Sequence, residues 1–361
     1  MLAVVSLGRR REIDGFCIVR GDMNETIRTL FCPENRLLRR CAAALLGCML
    51  ATVPGTSFAT APEISPPTRV IDPIDELTEI MVEAREPRYV SPTRRDEIGR
   101  IWAPVMINGR GPFRLVLDTG ASRSAITALV ALALGIPTDR SPPMILRGVT
   151  GYATVPTIRV DTLSVGDLAV DQPLLPIVPD ALGGAEGILG SEGLSGKRVF
   201  IDFRHDRITI AYSKNERSGP GFVNVPFRSL RGTLVVVDAY IGTVRAKAVI
   251  DTGGQVTIAN MALKDALAHR NGTPRGKVDL IMGATKDIQK GELLDDTPAI
   301  SIGSIQIHDP NVTYGDLYIF RQWKLLNEPA ILIGMDSLGL LDTLIIDYRR
   351  HELQLRMPNG V

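Results

Sequence analysis

The stretch Leu115-Val116-Leu117-Asp118-Thr119-Gly120 returns in the second half of the chain as Ala248-Val249-Ile250-Asp251-Thr252-Gly253. In each copy an apolar run of strand length ends in an Asp, and Thr-Gly follows. An apolar run of this length, bounded by a turn signal, reads as a buried strand. The Asp carboxylate is thereby delivered at the mouth of a turn. The glycine permits the tight backbone, and nearby N–H and hydroxyl groups can stabilise the charged form. One such turn is unremarkable, whereas two with the same sequel point to a repeat.

The sequel is shared. A short helical run follows each copy, Ala128–Leu134 and Met261–Leu267. Gly187-Ile188-Leu189-Gly190 is then matched by Ile331-Leu332-Ile333-Gly334, and Ile201-Asp202-Phe203-Arg204 by Ile346-Asp347-Tyr348-Arg349. Both copies close on a strand, at 207–210 and 352–355. Matched features in one order define two homologous lobes, at 97–215 and 220–358. Phe113, Leu115 and Leu117 alternate along the first strand in the period of a half-buried strand. Turn signals recur at Asn108-Gly109, Gly111-Pro112, Gly148, Gly151 and Gly166-Asp167, the pattern of many short strands. Helices are expected to be few, chiefly at 126–134 and 261–269. The fold class is therefore all-β with few short helices, built as tandem lobes.

Paired carboxylates define a chemistry. Two of them about 3 Å apart cannot both ionise comfortably and share one proton. The ionised group takes a proton from water while the protonated one polarises a peptide carbonyl, and a tetrahedral diol results. No metal, cofactor or covalent intermediate is required.

With these residues the sequence resembles the retropepsin-like aspartic proteases, in their two-lobed, exported bacterial form, over most of residues 100–358. The resemblance rests on Asp118-Thr119-Gly120-Ala121-Ser122, on Asp251-Thr252-Gly253, and on Leu189-Gly190 and Ile333-Gly334. It implies tandem acid-protease lobes forming a pseudo-dimer across a cleft, each giving one catalytic Asp, Asp118 and Asp251. Thr119-Gly120 and Thr252-Gly253 would support the dyad, with the two threonines interlocked beneath it. The flap falls at Gly148-Val149-Thr150-Gly151-Tyr152, which with Ser122 would meet substrate, and the second lobe offers Met282-Gly283-Ala284-Thr285. Two departures matter. Gly254-Gln255 stands where the family usually has Ala, Ser or Thr, leaving the substrate contacts of the second lobe open. Neither Ala121 nor Gly254 carries a hydroxyl to bond its carboxylate, so the dyad pKa is expected to be less depressed. Activity is expected at mildly acidic to neutral pH.

The N-terminal part reads as an address. Arg36, Arg39 and Arg40 precede a 13-residue apolar run, Cys41–Val53, and Ser57-Phe58-Ala59 supplies a small-x-small cleavage site. Cleavage is placed after Ala59, because a cut after Ala61 would leave Pro62 just past the scissile bond. The run is shorter than the roughly 20 residues of a spanning helix. A buried helix or uncleaved anchor is the alternative reading. Because this signal sits so far inside the chain, residues 1–22 read as an over-extended start, with Met23 as initiator. Leu45-Leu46-Gly47-Cys48 is rejected as a lipoprotein site, since the apolar run continues beyond it. All four cysteines (Cys17, Cys32, Cys41 and Cys48) precede the cleavage site, so the mature chain has no disulfide and no thiol nucleophile. Residues 60–96, with six prolines, read as a Pro-rich linker or arm, with a short helix opening at Asp72-Pro73 and a propeptide as the sharper alternative.

The whole chain has 361 residues and a formal net charge of +1. Loss of residues 1–59 removes eight Arg and five acids and leaves 302 residues with a charge of −2. Ordinary globular composition without a basic block excludes a nucleic-acid partner. Stable membrane insertion is not expected after signal cleavage. The glycine-rich 183–190 lacks the Lys-Ser/Thr of a phosphate loop, and no Gly-x-Ser-x-Gly elbow occurs. His205, His269, His308 and His351 lack metal-ligand spacing. Asp202 and Asp347 read as turn or interlobe residues. The sequence thus points to an aspartic endopeptidase of the bacterial periplasm, acting on peptide or protein substrates as a monomer with an Asp118/Asp251 dyad. Three alternatives share these residues: a homodimer using only Asp118, a non-catalytic peptide-binding module, and a hydrolase of another envelope polymer.

Overall fold

Each apolar Asp-Thr-Gly strand lies parallel to the apolar-apolar-Gly strand of its own half. In the computed structural model, Leu115, Val116 and Leu117 of strand Arg110–Leu117 pair with Gly187, Ile188 and Leu189. In the second half, Lys247 to Ile250 of strand Val244–Ile250 pair with Ala330 to Ile333. Parallel strands are covered on both faces, which is why these stretches read as unbroken apolar runs. Residues 5–6, 89–92, 100–179, 182–271, 276–294 and 296–358 are described, all within one compact unit. The expected signal region, the Met23 start and the helix at Asp72-Pro73 lie outside them. Val5–Ser6 pairs with Ile281–Met282.

The two halves repeat one strand order. In the first it runs Trp102–Ile107, Arg110–Leu117, Gly187–Leu189, Ala125–Thr127, Leu174–Val178. In the second it runs Leu234–Ile241, Val244–Ile250, Ala330–Ile333, Thr257–Ala259, Val312–Tyr314. A hairpin flanks each, Thr162–Val165 with Leu168–Asp171 and Ile300–Ile302 with Ile305–Ile307. This is an all-β, retropepsin-like fold of two lobes. Strand Trp102–Ile107 buries every second residue, and its turn at Asn108-Gly109 has positive φ at both positions, as a tight two-residue hairpin requires.

A six-stranded sheet joins the lobes. Its order is Val223–Pro226, Glu352–Arg356, Thr343–Asp347, Lys197–Asp202, Arg207–Tyr212, Tyr89–Pro92. The seam is antiparallel, running from Arg198 opposite Asp347 to Asp202 opposite Thr343. Val199, Ile201, Leu344 and Ile346 from this sheet share one buried cluster with Leu117 and Ile250. Tyr89–Pro92, inside the segment read as an arm, is the outermost strand. Asp202 and Asp347 act alike as turn residues. Asp202 Oδ1 accepts the N–H groups of Arg204 and His205, and Asp347 Oδ1 those of Arg349 and Arg350.

The first helix differs from expectation at its start, the second at its end, and there are more of them. The first is Ala128–Leu134, not 126–134, because Ile126 and Thr127 belong to a strand pairing with Ile177 and Val178. Their β-branched side chains suit that strand better than a helix. The second runs Met261–Asn271. Tyr318–Trp323 and the single turn Met335–Leu338 are two further short helices that the periodicity did not announce.

Candidate active site

Asp118 and Asp251 arrive at one place because their strands end side by side at the lobe boundary. The N–H of Asp118 donates to Leu189 O at 2.9 Å and that of Asp251 to Ile333 O at 3.0 Å. Gly190 and Gly334 then close the arrangement. A Cβ on Gly190 would stand 2.6 Å from Arg123 O, and one on Gly334 2.5 Å from Val256 O. Arg123 and Val256 are each five residues beyond their Asp, so the chain leaving each turn packs directly on the second strand. Just past these glycines, Glu192 accepts Ser124 N–H at 2.6 Å and Asp336 accepts Thr257 N–H at 2.9 Å.

Beneath the carboxyls the two threonines interlock. Thr119 Oγ1 donates to Ile250 O and Thr252 Oγ1 to Leu117 O, each at 2.7 Å. Each hydroxyl also accepts the N–H of the other threonine at 3.1 Å. Both residues are wholly buried, so each of these groups is satisfied only by the opposite lobe. Gly120 N–H donates to Asp118 Oδ1 at 2.8 Å, and Gly253 N–H to Asp251 Oδ1 at 3.0 Å. A Cβ on Gly120 would lie 2.7 Å from Asp251 Oδ1, and one on Gly253 2.5 Å from Asp118 Oδ2. Only glycine lets each carboxyl reach across to the other lobe.

The carboxyls are 1% exposed and hydrogen-bonded to each other. Burial, then the Asp251 charge and the shared hydrogen bond, hold Asp118 well above the usual carboxylate range. Burial raises Asp251 too, against hydrogen bonds from Asp118 and the Gly253 and Gly254 N–H groups that hold it down. Asp118 Oδ2 meets no N–H or hydroxyl donor, so the proton of the pair is what can satisfy it. The pair titrates as a unit and shares one proton. Both hydroxyl-free positions are buried, and at Gly254 a Cβ would press to 2.8 Å from Asp251 Oδ2.

Gly148–Gly151 is the turn of the hairpin joining Met144–Arg147 to Tyr152–Val155. Gly283–Asp287 turns the corresponding hairpin of the second lobe, between Gly276–Met282 and Ile288–Leu294. The two turns meet. Thr150 Oγ1 donates to Asp287 O at 2.7 Å and accepts Gly283 N–H at 3.0 Å. Val149 is buried among Ile319, Phe320 and Trp323, and its carbonyl accepts Ile319 N–H at 3.0 Å. Tyr152 instead points outward, 63% exposed, with its ring 5.8 Å from that of Tyr318. A cavity of 390 Å³ opens beside Gly120 and Ser122, walled by the first-lobe hairpin and by Arg231, Leu234 and helix Tyr318–Trp323. Of this lining, Ser122 was expected from the sequence to meet substrate, whereas Arg123, Arg147 and Arg231 were not. The position of Arg147, directly before the Gly148 turn, was the available signal. Among the described residues no three His, Cys, Asp or Glu side chains converge to hold a metal ion.

Two β lobes related by internal repetition, joined by a shared sheet and bringing paired Asp-Thr-Gly turns together, define the acid-protease architecture. Residues 103–192, from the first strand of the first lobe to just past Gly190, match the family model described as aspartyl protease. Over these residues the chain is similar to the retropepsin-like aspartyl proteases. No curated protein matches the chain in sequence.

Proposed function

We propose that the chain is an aspartic endopeptidase in which Asp118 and Asp251 form one dyad within a single chain, exported to the bacterial periplasm and acting there on peptides or proteins. The observation that carries this reading is the pair of buried carboxyls, hydrogen-bonded to each other above the interlocked Thr119 and Thr252. Asp251, the ionised member, takes a proton from a water placed between the carboxyls. That water attacks the peptide carbonyl carbon, while Asp118 donates its proton to the carbonyl oxygen. The resulting diol collapses as a proton passes to the leaving nitrogen, and the C–N bond breaks. Asp251 fills the place that a second copy of Asp118 would take in a homodimer, which favours the intrachain pair. The contact between the two hairpin turns must open for a peptide to enter.

The test is cleavage of a mixed peptide library by the full chain, followed by mass spectrometry between about pH 4 and 7. Asp118→Asn and Asp251→Asn are each expected to lower kcat by about 10³-fold or more, because each removes one half of the acid–base pair. Loss in Asp118→Asn alone would overturn the intrachain dyad. No turnover by folded wild type would overturn the protease reading.

A further inference from the structure

We infer that the cavity beside Gly120 is a carboxylate-selecting subsite, so that the substrate carries an acidic group close to the bond cleaved. This deepens the endopeptidase reading and rests on it for its name, though not for its test.

The cavity has an apolar floor, with Leu146, Leu234 and Trp323, and a rim bearing three arginines, Arg123, Arg147 and Arg231. Among the described residues no Asp or Glu lines it. Among the described residues the side chains of Arg123 and Arg147 make no hydrogen bond or ion pair, and Arg231 donates only to the neutral carbonyl of Gln322. All three are exposed at the mouth. Guanidinium groups remain charged at any working pH and present forked donors that match a carboxylate. Three uncompensated cations around one opening therefore favour an anionic occupant, while the floor accommodates the aliphatic stem of a Glu or a neighbouring apolar side chain.

The pseudo-two-fold relation between lobes sharpens this. The residue five beyond Asp118 is Arg123, and its counterpart five beyond Asp251 is Val256. The residue before the first hairpin turn is Arg147, and before the second it is Met282. Arg123 and Arg147 thus have no basic counterpart in the second lobe, and the basic character belongs to one end of the cleft. An acidic group should be selected on one side of the scissile bond only.

The test reads binding, and turnover in parallel. A single Glu, or its neutral isostere Gln, is stepped along a fluorescent, C-terminally amidated, otherwise apolar peptide. A further arm carries Gln with a free C-terminus, to tell a side-chain carboxylate from a chain end. At one position, or at the free terminus, the carboxylate peptide is expected to bind the full chain about tenfold more tightly than its neutral partner. In Arg123→Gln/Arg147→Gln, and in high salt, that ratio should fall towards one, and Arg147→Glu should turn the preference towards Lys. Equal binding of Glu and Gln peptides at every position, together with no gain at the free terminus, overturns the subsite, as does binding of neither. Discrimination without cleavage leaves the subsite standing and removes the protease reading. Cleavage without discrimination does the reverse.

Discussion

At Asp118 and Asp251 burial is nearly complete, and it moves both carboxyls upward. Catalysis by such a pair needs one proton on and one off, so the acid limb of the rate profile follows the first ionisation and the alkaline limb the second. Both limbs move up together. A bell-shaped profile of kcat/KM with its maximum at mildly acidic to neutral pH is expected, and a maximum below about pH 3 would contradict it. The same burial affects stability. A carboxyl whose folded pKa exceeds its unfolded value favours folding most below the unfolded pKa, and that contribution is lost as pH rises through the folded value. Asp118→Asn removes the ionisable group, so its melting temperature should exceed that of wild type increasingly from acid to neutral pH. Scanning calorimetry should find a gain of about 3 °C or more on the neutral side, and a pH-independent difference would sink the argument.

At the scale of the strand, what holds each Asp turn in place is a glycine far away in sequence. Gly190 and Gly334 allow the chain five residues past each Asp to lie on the strand that pairs with the Asp-bearing one. In Gly334→Ala the added methyl meets Val256 backbone, which cannot swing aside as a side chain would. The expected cost is about 1–3 kcal/mol, read as a lower denaturation midpoint at unchanged slope. An unchanged midpoint would show that the strands have room to separate. These glycines were legible in the sequence because both copies keep them in the same order, as were the Asp-Thr-Gly turns and the buried strands before them. Periodicity failed where two signals overlap. Ile126-Thr127 continues smoothly into a helix in sequence, yet its pairing with Ile177-Val178 is decided some 50 residues away. The meeting of Arg123, Arg147 and Arg231 around one cavity was not legible for the same reason, since three separate segments contribute one residue each.

At the scale of the molecule, strands Lys197–Asp202 and Thr343–Asp347 pair across the lobes within a single chain, so the lobes meet intramolecularly. Mass action then drops out of assembly of the carboxyl pair. Specific activity is expected to stay constant on dilution to about nanomolar concentration, where many dimers dissociate, and a decline with concentration in a continuous assay would indicate that chains combine to act. The shared sheet has another consequence. In an assembly of identical chains every substitution is made twice, and the two walls of a cleft must remain copies of each other. Fusion of the lobes lifts that constraint. Arg123 where the second lobe has Val256, and Arg147 where it has Met282, are unlike equivalents that a symmetric pair could not hold. The cleft thereby gains a direction, and a polypeptide lying in it can be recognised by which way its N-terminus points.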